Sequence, residues 1–325
     1  MTNPWNAIDP PSRDVNARRI DHTHPFDMFW AKDQLGHFLF IFEFSEHQNT
    51  MRQSLLPDLA GIKAYYLPAT ANATVNRLVL LLNEQQNWEL FYSLCNDLVG
   101  ATRQAPSSQV ALEIILRRLA RWHEFLKANR SRLLGEEKIK GLIGELVFLR
   151  NYLIPKFGAG SAVNFWQGPE GTPQDFCIGQ STIEVKCQSG GTRPSIQISS
   201  EFQLCGRLPE VYLFVVALSK VSIEHAGAIT LPGLIADIRR ELAAVPYDQI
   251  ERFADLLYGI GYVDSEAYLN YSYLVTSTMM YRVLPGFPRV CPEDLPPGVS
   301  SISYNINLLT CADFAGQPDW MEAQS

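Results

Sequence analysis

Residues 173–188, Pro-Gln-Asp-Phe-Cys-Ile-Gly-Gln-Ser-Thr-Ile-Glu-Val-Lys-Cys-Gln, restrict the fold of this 325-residue chain more than any other stretch. They read as a β-hairpin. Asp175–Ile178 form a short first strand, and Thr182–Cys187, rich in β-branched residues, a second. Gly179-Gln180 makes the two-residue turn, with glycine supplying positive φ at its first central position. Ile178 then pairs with Ser181, and Asp175 with Glu184. Side chains alternate along a strand, so Glu184, Lys186 and Gln188 share a face with Asp175, while Ile183, Val185 and Cys187 point into a core.

This register puts two carboxylates opposite each other, with Cβ atoms about 5 Å apart. Like charges so placed repel, and a divalent cation between them removes the repulsion. Mg²⁺ favours one or two carboxylates completed by water and phosphate oxygens. An ammonium two residues along the strand can orient the attacking water, a combination suited to phosphodiester hydrolysis. The plainer reading is an amphipathic hairpin with a solvated Asp-Glu-Lys face.

An Asp opening one strand and Glu-x-Lys on the next resembles the PD-(D/E)XK nuclease superfamily, with Asp175, Glu184 and Lys186 at those positions. One residue is interposed in the expected Pro-Asp pair, which here reads Pro173-Gln174-Asp175. With the Gly-Leu-Ile-Gly-Glu helix at 141–145, the chain is similar to a bacterial family known only as PD-(D/E)XK-motif proteins. The resemblance implies a restriction-endonuclease-like α/β (α+β) fold, a mixed sheet flanked by helices, over roughly 136–220. It also implies Mg²⁺ (or Mn²⁺) held by Asp175 and Glu184, with Glu145 from the preceding helix joining them, and Lys186 and Gln188 assisting. The implied activity is DNA endonuclease in anti-phage defence, with other defence-operon proteins as partners. The alternative is a catalytically inactive nuclease-fold subunit that binds DNA or assembles a complex. Glu-x-Lys alone is not specific: Glu136-Glu137-Lys138 repeats it in a polar stretch opening a helix, without strand context.

The length predicts two domains or one elaborated domain. Residues 1–25 are polar and Pro-rich and read as an arm. Residues 26–105 read as β-rich, with strands at 37–44, 61–68 and 77–82, a further strand at 88–92, and a helical turn over 90–99. A basic helix spanning 106–132 follows, then the nuclease-like core at 133–222 and an α+β extension at 223–325. Within the core, Glu136–Leu153 reads as a helix ended by Pro155, and Ala162–Gln167 as a strand. Ser195–Ser199 and Val211–Leu218 also read as strands, separated by a short helix at 200–204. Gly141 and Gly144 each cost a helix about 1 kcal/mol, which predicts close packing beside Glu145.

No apolar run reaches membrane-span length, and the opening Met-Thr-Asn-Pro-Trp-Asn does not predict a secretory signal. The six cysteines form no Cys-x-x-Cys pair, so neither a zinc ribbon nor a disulfide framework is expected, and a reducing cytoplasm fits. His22 and His24 read as surface histidines. The net charge of −7 opposes indiscriminate nucleic-acid binding. Residues 117–140, however, hold eight basic residues against three acidic ones, net +5, leaving −12 elsewhere. Arg130, Arg132, Lys138 and Lys140, with Arg193 further on, can contact phosphates; an ordinary solvated helix face accounts for the same charges. The dense C-terminal tyrosines suit core or subunit-interface packing, as in a homo-oligomer, with a stacking surface for single-stranded nucleic acid as the alternative. No Gly-x4-Gly-Lys-Ser/Thr loop is present, so ATP hydrolysis would need a separate ATPase. No Gly-x-Ser-x-Gly or His-Glu-x-x-His sequence supports another hydrolase.

Overall fold

The computed structural model describes residues 2–45, 56–70, 75–129, 133–189, 194–206 and 208–321. The chain divides into two compact units, residues 1–133 with 261–265, and residues 134–260 with 266–325.

The first unit is a five-stranded antiparallel sheet with two helices. Its strands are β1 (Val15–Arg19), β2 (Met28–Asp33), β3 (Phe38–Phe44), β4 (Ile62–Leu67) and β5 (Asn76–Leu82), in the order β1-β2-β3-β5-β4. Helices α1 (Trp88–Thr102) and α2 (Ser108–Asn129) follow. The N-terminal segment is not loose here. β1 pairs with β2 along its length, and Trp5 is fully buried, stacked on Phe38 with its Nε1 donating to Leu39 O at 2.9 Å. A large aromatic with a satisfied indole N–H anchors the segment, despite its polar composition. Residues 88–92 open α1 and are not a strand. His24 is a core histidine, with Nε2 bonded to Val99 O at 3.0 Å, while His22 is exposed.

The second unit begins with α3 (Glu136–Phe148), continues through a π-helical turn at Leu149–Leu153 into α4 (Ile154–Phe157), and then forms α5 (Ala159–Phe165). Strands β6 (Phe176–Ile178), β7 (Ser181–Ser189), β8 (Ser195–Ile198), β9 (Glu210–Lys220) and β10 (Ile229–Thr230) follow. The chain ends with α6 (Leu231–Glu241), α7 (Tyr247–Ile260), β11 (Ser272–Arg282) and β12 (Tyr304–Asn307). The main sheet runs β10-β11-β9-β7-β6, with β7 and β9 parallel and every other pair antiparallel; β8 and β12 form a separate ribbon. This is the mixed sheet flanked by helices that a restriction-endonuclease-like fold requires. The parallel neighbour explains why β9 reads as one apolar run without alternation. β11 pairs with β9 from Tyr212 to Lys220, so residues beyond 222 complete this sheet.

Three local readings change. Residues 162–165 belong to α5; only Trp166 bridges to Phe176, in the manner of a strand. Gly158, at φ 77°, lets the chain leave α4 and start a new helix at once, a turn open to glycine at little cost. The segment 201–204 is a hydrogen-bonded turn and not a helix. Pro155 sits in the first turn of α4, where its missing N–H costs little, so it does not stop the helical path.

The core of this unit has two faces. Val185, Cys187 and Phe214 of the sheet face α3, where Phe148 lies 4.8 Å from Phe214 between ring centroids. A Cβ on Gly144 would run into Cys187 Sγ and approach Val185 at 3.3 Å, whereas Gly141 has open space. One of the two helix glycines is therefore there for close approach. The opposite face carries Leu213 and Val215, which pack with Ile196, Ile198 and Ile306 of the β8–β12 ribbon.

Candidate active site

The β6–β7 hairpin forms in the expected register, Ile178 against Ser181 and Phe176 against Ile183, and Gly179 has φ 60°. Asp175 lies one residue before the ladder. Its Oδ2 accepts from Val185 N at 2.7 Å, and its backbone O accepts from Gln167 N at 2.8 Å and Gly168 N at 3.0 Å. The aspartate thus ties the end of α5's exit segment to β7, which fixes its carboxylate beside the strand carrying Glu184 and Lys186.

Four of the expected residues come together. Glu184 is 1% exposed, and its Oε1 lies 2.7 Å from Lys186 Nζ; its Oε2 is buried with no hydrogen-bond partner. Lys186 Nζ also donates to Gln203 Oε1 at 3.1 Å. Glu145 projects from α3, and its Oε2 accepts from Trp166 Nε1 at 2.7 Å. The partner of Glu145 is thus an indole and not a basic residue. Gly168 closes the group. A Cβ there would lie 2.9 Å from Asp175 Oδ1 and 3.5 Å from Glu145 Oε2, so bare backbone passes between the two acids.

Electrostatics set this cluster apart. Burial raises the Asp175 carboxyl from 3.8 to about 6, against the pull of the Val185 N–H and of Lys186. Burial and then the Asp175 charge push Glu145 well above the ordinary range, opposed by the Trp166 bond and Lys186. Glu184 is raised by burial, then Asp175, with Glu145 adding; Lys186 opposes. Glu145 and Asp175 keep some surface open to solvent although protein surrounds their carboxylates. Three acids that resist ionisation around a single ammonium have a strong appetite for added positive charge.

The donor chemistry suits a divalent cation: Glu184 Oε2 is a buried carboxylate oxygen with no partner, and the Asp175 and Glu145 carboxylates both lie near Gly168. Among the described residues no three His, Cys, Asp or Glu side chains form a ready-made cage. The fit is therefore to an ion that takes one or two carboxylates and keeps water or phosphate oxygens, as Mg²⁺ does.

Gln188, Lys138 and Lys140 make none of the hydrogen bonds or ion pairs given above. Gln188 follows on β7, its Oε1 buried without a partner. Lys138 is exposed, and Lys140 pairs with Glu137 at 2.9 Å and Glu136 at 3.8 Å. Arg130, Arg132 and Arg193 lie outside the described residues. Trp166, Gly168 and Gln203 were not singled out from the sequence; all three sit in connections whose contacts are made across the fold. A cysteine expectation also changes: Cys205 and Cys291 form a disulfide across 86 residues, with Cα atoms 5.7 Å apart. The other four cysteines are free.

A mixed sheet with Asp175 just ahead of one strand and Glu184-x-Lys186 on the next, with a helix-borne glutamate beside them, defines a protein of the PD-(D/E)XK class. Residues 1–309 match the family model described as "Putative PD-(D/E)XK family member, (DUF4420)", and the chain belongs to that family. No curated protein and no solved structure matches it significantly. No helix among the described residues is long and apolar enough to cross a membrane.

Proposed function

We propose that the chain is a Mg²⁺- or Mn²⁺-dependent nuclease that hydrolyses phosphodiester bonds in DNA. The observation that carries this reading is the meeting of Asp175, Glu184 and Glu145 around Lys186, with Glu184 Oε2 buried and unpartnered. Asp175 and Glu184 would hold the cation, with Glu145 at its edge. When bound, the cation supplies Lewis acidity and an ionised water at neutral pH. Lys186 is anchored between Glu184 and Gln203, which aims its ammonium along the carboxylate face. From there it can orient a water toward a phosphate and offset charge gathering on the phosphoryl oxygens. Trp166 fixes the free rotation of the Glu145 carboxylate.

The test is cleavage of circular and linear DNA with Mg²⁺ or Mn²⁺, comparing the native chain with Glu184→Gln and Lys186→Ala. Metal-dependent nicking or cutting that both variants lose supports the reading. A native chain that cuts neither substrate with either metal overturns it.

The closed 2.7 Å pair between Lys186 and Glu184 favours a second reading, a subunit that keeps the fold for binding or assembly. Mn²⁺ titration separates the two: saturable binding lost in Glu184→Gln supports catalysis, and no binding supports the second reading. A role in phage defence beside a separate ATPase is the setting the family resemblance suggests for either.

A further inference from the structure

A cleft of about 760 Å³ opens next to the carboxylates, lined by Gln174 and Phe176 on either side of Asp175. The segment 167–174 and the β6–β7 hairpin line one part of it, and the turn at 200–206 and the Pro-rich loop at 285–297 the rest. Gln174 Nε2 donates to Phe202 O at 2.6 Å and to Gln203 O at 3.3 Å, so the turn that holds Lys186 is also a cleft wall. Phe202 lines the cleft and is 48% exposed. Across from it, Arg289 is half-buried, with Nη1 donating to Leu204 O at 2.9 Å. No carboxylate pairs with Arg289 among the described residues, although Glu293 lines the same cleft. The Cys205–Cys291 disulfide joins the two loops, three residues after Phe202 and two after Arg289.

We propose that this cleft binds single-stranded nucleic acid, with a base stacked on Phe202 and the neighbouring phosphate on Arg289. The proposal rests on the nucleic-acid reading of the adjacent site. An exposed aromatic and a guanidinium with no ion pair, in one cleft, supply the two elements of strand binding, a π-face for any base and a charge for the backbone. A volume within the ~300–1,000 Å³ span of small-ligand pockets suits a nucleotide or two. A duplex makes a different demand: its binders neutralise about 6–10 phosphates, and Arg289 is the single cation among the cleft's lining residues. The braced loops hold stacking and charge at a fixed separation, so the strand meets a preformed site.

Fluorescence anisotropy with labelled oligonucleotides in EDTA tests this without cleavage, using the full chain and single-stranded and duplex forms of DNA and RNA. Single strands should bind more tightly than duplex. Phe202→Ala should weaken single-strand binding by about tenfold with an unchanged salt slope. Arg289→Gln should weaken it and lower the slope of log K against log salt by about 0.7. Thermal melting of both variants confirms that they fold. Duplex binding as tight as single-strand binding, no detectable binding, or native affinity in both variants overturns the proposal. Binding that follows these expectations in a chain that cuts nothing with Mg²⁺ or Mn²⁺ removes the nuclease reading and leaves the cleft assignment standing.

Discussion

Lys186 Nζ lies 2.7 Å from Glu184 Oε1, a contact between neighbours on one face of one strand, where the carboxyls of Asp175 and Glu145 also gather. One ammonium cannot neutralise three carboxyls. The site therefore holds protons where exposed acids would have lost them.

This gives stability a definite pH dependence. A carboxyl raised on folding stabilises the fold below its unfolded value, and that contribution is lost as pH rises through the folded value. For Asp175 the window runs from 3.8 to about 6, worth on the order of 3 kcal/mol; Glu145 and Glu184 extend the loss to higher pH. Metal-free protein should melt at progressively lower temperature from pH 4 to pH 8, and saturating Mn²⁺ should restore most of the loss at pH 8. Differential scanning calorimetry with EDTA or Mn²⁺ reads both curves. A flat EDTA curve would show that the three acids ionise freely.

Trp166 donates the hydrogen bond that orients Glu145. Trp166→Phe keeps an aromatic in the core and deletes the donor. Partners of this kind are worth about 10–100-fold in metal affinity. Isothermal titration with Mn²⁺ should show a loss in that range, larger at pH 6 than at pH 8, because Glu145 becomes harder to ionise.

Gly168→Ala would put a methyl group 2.9 Å from Asp175 Oδ1 and 3.2 Å from its Cα. The carboxylate has to move, since the backbone cannot. Nuclease turnover should fall at least tenfold while the melting midpoint changes by only a few degrees. Unchanged turnover would show that Asp175 does not need its position.

Gly144→Ala meets Cys187 Sγ on the other face of the sheet. Overpacking of this kind costs about 1–3 kcal/mol. Cys187→Ala in the same chain removes the obstructing sulfur, so the double variant should recover part of the stability lost by Gly144→Ala alone, as judged by urea denaturation.

The hairpin was legible because its signals are local: alternation from Thr182 to Gln188, one glycine at the turn, and an acid in register. Glu145 was legible through the family resemblance and the two glycines that flank it. The partners of these residues were not. Gln203 reaches Lys186 from 17 residues away, and Trp166 reaches Glu145 from 21; neither carries a local pattern. Ala162–Gln167 reads as a strand from its Val and aromatics, yet the conformation is set by Gly158 upstream, and only Trp166 pairs. Cysteine spacing is silent on Cys205 and Cys291, whose approach depends on two loops folding against one another. Residues 1–25 are polar enough to read as an arm, and a single tryptophan reverses that.

The pairing of β11 with β9 bears on how the second unit could be isolated. β9 is buried along nearly all of its eleven residues, and β11 is the strand that covers its far edge. A fragment ending at 222 would bare a long, flat, aliphatic edge with open amide and carbonyl groups, a template for intermolecular pairing. Such a truncation should come out of expression as insoluble assemblies, whereas one retaining residues through 321 keeps its hydrogen-bonding rim closed.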